Sequence, residues 1–132
     1  MTTVLFACTH NAGRSQMAAA LFNRAAQGRA RAISAGTSPA STVHAVVREA
    51  MAEIGVDLSH ALPQLLTEEV ARQADLLVTM GCGEQCPIVP GLRREDWPID
   101  DPKGQPLGEV RAIRDEIARR VDDLLARNPS EP

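Results

Sequence analysis

Short apolar runs alternate along this chain with segments of helical periodicity, and this alternation restricts the possible folds more than any other feature. Runs bounded by polar residues are expected to form strands at residues 4–7, 30–35 and 75–80. The Pro- and Gly-rich segment 81–108 is expected to be mostly loop, with a short edge strand near residues 97–99. Strands that alternate with helices predict an α/β fold whose parallel sheet is covered on both faces.

Apolar residues spaced three and four apart mark the helices. They predict a first helix from Ser15, a second that follows Ser41 and ends at Gly55, and a last one over residues 110–125. A short helix is expected at residues 67–73, directly before the strand at 75–80. No internal repeat or linker interrupts the series, so we expect one domain over residues 1–132.

The composition of the chain argues against nucleic acid and membranes as partners. The chain has a formal net charge of −3 and only 2% aromatic residues, so it lacks the basic surface and the stacking side chains of a nucleic-acid-binding protein. No apolar stretch is long enough for a membrane span, and the first ten residues do not resemble a signal peptide. We therefore expect a cytoplasmic protein with no membrane partner, whose three cysteines are reactive rather than structural.

The residues between the first strand and the first helix carry the chemistry. Five residues separate Cys8 from Arg14, which lets the backbone curl so that its N–H groups point inward at a helix N-terminus. That field stabilises a thiolate nucleophile at Cys8, and Arg14 offers a planar fork to a tetrahedral oxyanion. Gly13 eases the turn and Asn11 can hydrogen-bond across it. The substrate-binding residues are expected to be Thr9, His10, Asn11, Ala12, Gly13, Arg14 and Ser15. The alternative is a buried, inert Cys8 beside an N-capping serine.

The sequence CTHNAGRSQMA at residues 8–18 resembles the active-site loop of the low-molecular-weight protein tyrosine phosphatase superfamily. The resemblance is greatest to its thioredoxin-coupled arsenate reductase branch, and it continues at residues 34–36, 77–80, 86–87 and 97–102. It implies a three-layer domain with a four-stranded parallel sheet, in which the strand ending at Met80 lies beside the strand ending at Ala7. Cys82 would then lie within reach of Cys8.

The resemblance also implies a reaction, the detoxifying reduction of arsenate to arsenite. Cys8 would attack arsenate, Cys82 would attack the Cys8 sulfur and release arsenite, and Cys86 would take over the disulfide. Asp101, placed before Pro102 like the general acid of the superfamily, would protonate the leaving oxygen. Thioredoxin would reduce the final disulfide, and phosphate or sulfate would compete with arsenate.

Several alternatives remain open at the level of sequence. Because only residues 83–85 separate Cys82 from Cys86, a small thiol with a glutaredoxin-like protein is an alternative reductant. A phosphotyrosine or small-phosphoester phosphatase is a second alternative, and a noncatalytic oxyanion-binding module is a third. No cofactor is expected. A metal at the two cysteines is not expected either, because no second Cys or His pair lies at ligand spacing. Gln16 and its neighbours offer no acid for the monovalent cation that some relatives bind.

Overall fold

A computed structural model of the chain describes residues 2–81 and 89–127. In that part of the chain the elements, in order, are β1 (Thr2–Cys8), α1 (Arg14–Ala26), β2 (Ala30–Gly36), α2 (Ala45–Ala52), α3 (Glu68–Arg72), β3 (Leu76–Thr79), β4 (Arg93–Asp96) and α4 (Leu107–Ala126). None of the helices described is both long and apolar enough to cross a membrane.

The four strands form one parallel sheet in the order β2-β1-β3-β4, which confirms the expected α/β class and strand number. β1 lies inside the sheet and pairs with β2 on one side and β3 on the other. The register places Ala7 opposite Thr79, so the carboxyl ends of β1 and β3 are adjacent, as the resemblance implied. The segment after each strand therefore begins at the same edge of the sheet.

Alternate side chains of β1 enter two separate apolar cores. Phe6 and Cys8 pack into the larger core with buried residues of α1, α2 and α4, such as Phe22, Met51 and Ile117. Leu5 and Ala7 pack on the opposite face with Leu77 and with Ala71 of α3. Because successive residues of a strand point to opposite faces, β1 is buried on both sides and is fixed firmly in the sheet.

The prediction of an edge strand at residues 97–99 was wrong in position. The edge strand is β4, Arg93–Asp96, which pairs with β3. Its four side chains are charged and mostly exposed, which a sheet edge tolerates because pairing requires only backbone groups. Trp97 and Ile99 are buried by packing, with the Trp97 ring centroid 5.5 Å from that of Phe6. The apolar side chains of Trp97 and Ile99 therefore reflect packing against the core and not strand pairing.

The second helix also begins later than Ser41. Its first residue is Ala45, and His44 occupies the N-cap position. The N–H groups of Ala40 and His44 instead donate to the carbonyls of His10 and Ala12. The backbone of the segment before the helix is thus hydrogen-bonded to the loop that follows β1 and does not form a helical turn.

A charged cluster joins the end of α2 to α4. The Glu53 carboxylate accepts a bidentate pair from Arg111, with an Nη2–Oε2 distance of 2.6 Å, and a 3.0 Å hydrogen bond from Nη1 of the largely buried Arg114. Hydrogen bonds from Arg111, together with those from Arg114, lower the pKa of Glu53 to about 2 from its ordinary 4.5. The ionised form of Glu53 therefore stabilises the folded state.

The Glu53 cluster gives a pH-dependent prediction. Because the pKa of Glu53 is lower in the folded chain, its contribution to stability is complete above about pH 4.5 and is lost as the pH falls towards about 2. Glu53→Gln should therefore be less stable than the parent at pH 6, and the difference should shrink between pH 4.5 and 2. Urea unfolding at a series of pH values would measure this, with Asp122→Asn on α4 as a control. A difference independent of pH would contradict the argument.

Candidate functional site

Residues 8–14, here called the anion loop, connect β1 to α1 at the carboxyl edge of the sheet. β1 ends at Cys8, which is 2% exposed, and α1 begins at Arg14. In a parallel sheet this edge is where ligands bind, and the helix N-terminus adds positive potential. The strand, loop and helix predicted from the sequence are therefore all present.

The carbonyl groups of the anion loop are held outward. Four of them accept hydrogen bonds of 2.8–3.3 Å from backbone N–H groups that follow β2: Cys8 from Thr37, Thr9 from Ser38, His10 from Ala40 and Ala12 from His44. Within the described part of the chain, no N–H from Thr9 to Gly13 donates to a backbone carbonyl. These donors are therefore free to bind an anion inside the loop.

Asn11 holds the shape of the anion loop, as the sequence predicted. Its φ of 50° places it in the left-handed region, which asparagine tolerates better than most residues. Its Nδ2 donates to Ser15 Oγ at 2.7 Å, and its Oδ1 accepts from the Gln64 backbone N–H at 2.9 Å. Gln16 also donates to the Asn11 backbone carbonyl at 3.1 Å. Asn11 is thus fixed by residues on both sides of the loop.

Ser15 lies next to the sulfur of Cys8, with an Oγ–Sγ distance of 2.8 Å. Since Ser15 Oγ already accepts a hydrogen bond from Asn11, its single hydroxyl hydrogen can be directed at the sulfur. Cys8 is therefore buried at the start of the anion loop, with the Ser15 hydroxyl in contact with its sulfur.

The guanidinium of Arg14 is enclosed at the same place. Nη1 donates to the carbonyl of Ile99 at 3.0 Å, and Nη2 lies 3.7 Å from Oδ2 of Asp101. Its Nε is buried and has no acceptor among the described residues. A buried charged donor of this kind is costly unless an acceptor such as an oxyanion oxygen satisfies it.

Asp101 and Pro102 also lie next to the anion loop, Asp101 near Arg14 and Pro102 near Gly13. The Asp101 side chain is 45% exposed, and its Oδ1 accepts the Lys103 backbone N–H at 3.0 Å. Pro102 is buried, and a Cβ placed on Gly13 would lie 2.7 Å from its Cγ. The absence of a side chain at Gly13 therefore leaves the space that Pro102 occupies. Asp100, the carboxylate that precedes Asp101, is exposed.

His44 also lies at the site, although the sequence analysis assigned it no role. Burial lowers the pKa of His44, the nearby carboxylate of Asp101 opposes the shift, and Lys103 and His10 reinforce it. The His44 ring is also close enough to Gly13 that a Cβ there would lie 3.6 Å from Cδ2. The sequence offered no signal for this position, because His44 is distant along the chain from both Asp101 and Gly13.

Gly36 was likewise not identified as part of the site. A Cβ on Gly36 would lie 2.6 Å from the Thr9 carbonyl oxygen and 2.9 Å from the Asn11 nitrogen. β2 thus passes directly against the anion loop. Cys82 and Cys86 lie outside the described residues. Gly81, the last described residue before them, lies against the Arg14 side chain.

Comparisons with known proteins agree with this geometry. The family model described as low molecular weight phosphotyrosine protein phosphatase matches residues 3–131. A protein of Staphylococcus epidermidis named arsenate reductase 2 is 34% identical over 128 residues, which cover 95% of this chain and 97% of that protein.

Two solved structures are similar throughout the fold. The arsenate reductase of Archaeoglobus fulgidus is 36% identical with a TM-score of 0.82, over 93% of this chain and 98% of that chain. The thioredoxin-dependent arsenate reductase of Corynebacterium glutamicum is 41% identical with a TM-score of 0.83, over 96% of this chain. This chain spans only 61% of the length of the Corynebacterium protein. With a family match over nearly all its residues, the chain belongs to the low molecular weight phosphotyrosine protein phosphatase family.

Proposed function

We propose that this chain is an arsenate reductase, which reduces arsenate to arsenite and so serves in arsenic detoxification in the cytoplasm. The observation that carries the proposal is the buried Cys8 sulfur, which lies 2.8 Å from the Ser15 hydroxyl. It stands in a loop whose N–H groups from Thr9 to Gly13 have no backbone acceptor among the described residues. Arg14 adds a guanidinium suited to two oxygens of a tetrahedral oxyanion. Relatives named arsenate reductase support the choice of arsenate as the substrate. Phosphate and sulfate are the expected competing anions.

The first step forms the covalent adduct. Thr9 to Ser15 bind the oxyanion, the Cys8 thiolate attacks arsenic, and an arsenate oxygen leaves as water. Asp101, whose Oδ2 lies 3.7 Å from Nη2 of Arg14, donates the proton to that leaving oxygen. Arg14 neutralises the negative charge that accumulates on the remaining oxygens.

The second step carries the electrons. Cys82 attacks the Cys8 sulfur, a sulfur–sulfur bond forms, and the arsenic–sulfur bond breaks with its electron pair on arsenic. Arsenic is thereby reduced from the +5 to the +3 state and leaves as arsenite. Cys86 then attacks Cys82 and frees Cys8, and a dithiol protein reduces the Cys82–Cys86 disulfide. Thioredoxin is the proposed reductant because one similar structure is named thioredoxin-dependent.

A phosphatase is the second candidate, because the same cradle accepts phosphate and the family is described by that activity. The aromatic residues argue against phosphotyrosine as the main substrate. The chain has two Phe, one Trp and no Tyr, and Phe6, Phe22 and Trp97 are all buried in the core. None of them can form the wall of a pocket for a phenyl ring. Weak cleavage of small phosphoesters remains expected.

Cys8→Ser should abolish both arsenate reduction and phosphoester cleavage, because a serine hydroxyl at this position cannot form the thiol adduct. Arsenite release and hydrolysis of a small aryl phosphate would measure the two activities. The thermal unfolding midpoint should stay close to that of the parent, which shows that the loss is chemical. Measurable arsenate turnover by this variant would refute the nucleophile assignment, and arsenate binding without turnover by the parent would indicate a noncatalytic module.

Asp101→Asn should slow hydrolysis of an aryl phosphate by about a hundredfold, the usual effect of removing a general acid. Asp100→Asn is the matched control, because it changes the preceding, exposed carboxylate in the same loop. Its rate should stay within about twofold of the parent. Equal rates for the two variants would remove Asp101 from the acid role.

The thiol relay predicts different products for the two remaining cysteines. After one equivalent of arsenate, Cys86→Ser should release arsenite once and accumulate a Cys8–Cys82 disulfide, whereas Cys82→Ser should stop at the Cys8 adduct. Peptide mapping by mass spectrometry identifies both products. Unmodified Cys82 and Cys86 in the parent, with turnover supported by a small thiol and a glutaredoxin-like protein, would instead establish the alternative reductant.

A further inference from the structure

The guanidinium of Arg14 occupies the space that a side chain at residue 81 would need. A Cβ built on Gly81 would lie 2.2 Å from Nη1 of Arg14 and 3.1 Å from its Cζ. Distances below about 3.0 Å do not occur for real Cβ contacts, so the two groups cannot coexist in this arrangement. The Arg14 side chain is 9% exposed and cannot simply turn into solvent without leaving its partners.

Gly81 and Ile99 hold Arg14 from two sides. Nη1 donates to the Ile99 carbonyl at 3.0 Å, and the same nitrogen is the atom nearest to the position that a Cβ on Gly81 would occupy. Gly81 follows β3, and the neighbouring Met80 N–H donates to the Ala7 carbonyl at 2.7 Å. The backbone that leads into residue 81 is therefore held to β1 by a hydrogen bond.

We infer that Gly81 is a positioning residue for oxyanion binding: its missing side chain lets Arg14 keep the orientation in which its guanidinium faces the anion loop. This inference rests on the proposed function only for the identity of the anion as a tetrahedral oxyanion. It predicts a specific failure, since any side chain at residue 81 pushes Nη1 away from the Ile99 carbonyl. The arginine is long and flexible, so the displacement damages anion binding far more than it damages the fold.

A substitution of Gly81 has two effects, the clash with Arg14 and the strain of a side chain at a positive φ. Gly81 has a φ of +95°, so alanine there is strained even without a clash. Gly55 provides the matched control, because its φ is +81° and a Cβ there meets nothing within 4 Å. Alanine at residue 55 has a similar backbone strain without displacing Arg14.

The test compares Gly81→Ala and Gly55→Ala by calorimetric titration of the reduced proteins with inorganic phosphate. Gly81→Ala should raise the phosphate Kd about tenfold or more, the equivalent of one lost charge-assisted hydrogen bond, while Gly55→Ala keeps the Kd of the parent. Equal Kd values for both variants would overturn the inference.

Unfolding midpoints in two backgrounds supply a second test that does not depend on ligand. In the parent, Gly81→Ala should lower the midpoint more than Gly55→Ala does, and in an Arg14→Ala background the two should be equal, because the clash is gone. If Gly81→Ala does not fold alone, recovery of folded protein in the Arg14→Ala background supports the inference, and continued failure overturns it.

These tests separate the inference from the proposed function. A parent that binds phosphate but does not reduce arsenate would refute the proposed function and leave the role of Gly81 standing. A parent that binds no phosphate would remove phosphate as a competing anion without deciding arsenate reduction, and the unfolding midpoints would then decide the role of Gly81 alone. Phosphate binding that is insensitive to Gly81→Ala would refute the inference alone.

Discussion

The outward orientation of the carbonyl groups in the anion loop is the constraint on which the rest of the site depends. A loop of seven residues has both donors and acceptors, and an anion can bind only if the acceptors are turned away. The backbone of residues 37–44 supplies the donors that hold them outward. This explains why the second helix begins late: residues that could have extended α2 are used to brace the loop.

Arg14 contacts segments that follow two other strands of the sheet, β3 and β4. Its guanidinium contacts the carbonyl of Ile99, the carboxylate of Asp101 and the backbone of Gly81. These groups are brought together because β3 pairs directly with β1 and β4 pairs with β3. The strand order therefore positions the site directly, since another order would place Asp101 and Arg14 apart.

Elements with a strong local signal could be predicted from the sequence. The apolar period of residues 110–125 and the buried run at 75–80 gave α4 and β3 to within a few residues. β4 was misplaced because its four charged residues have no hydrophobic pattern, and only backbone pairing with β3 makes them a strand. The start of α2 was misplaced because its first potential turn is hydrogen-bonded to a distant loop instead.

The sequence by itself pointed to Cys8 as the proposed nucleophile and Arg14 as the proposed anion-binding residue, because these two residues and the strand-to-helix turn between them are contiguous and their geometry is local. Only the tertiary structure decided what surrounds them. Gln64, which fixes Asn11, and Gly81, which leaves room for Arg14, are far from the anion loop along the chain. Such contacts depend on how strands are ordered and packed, and no local periodicity records that order.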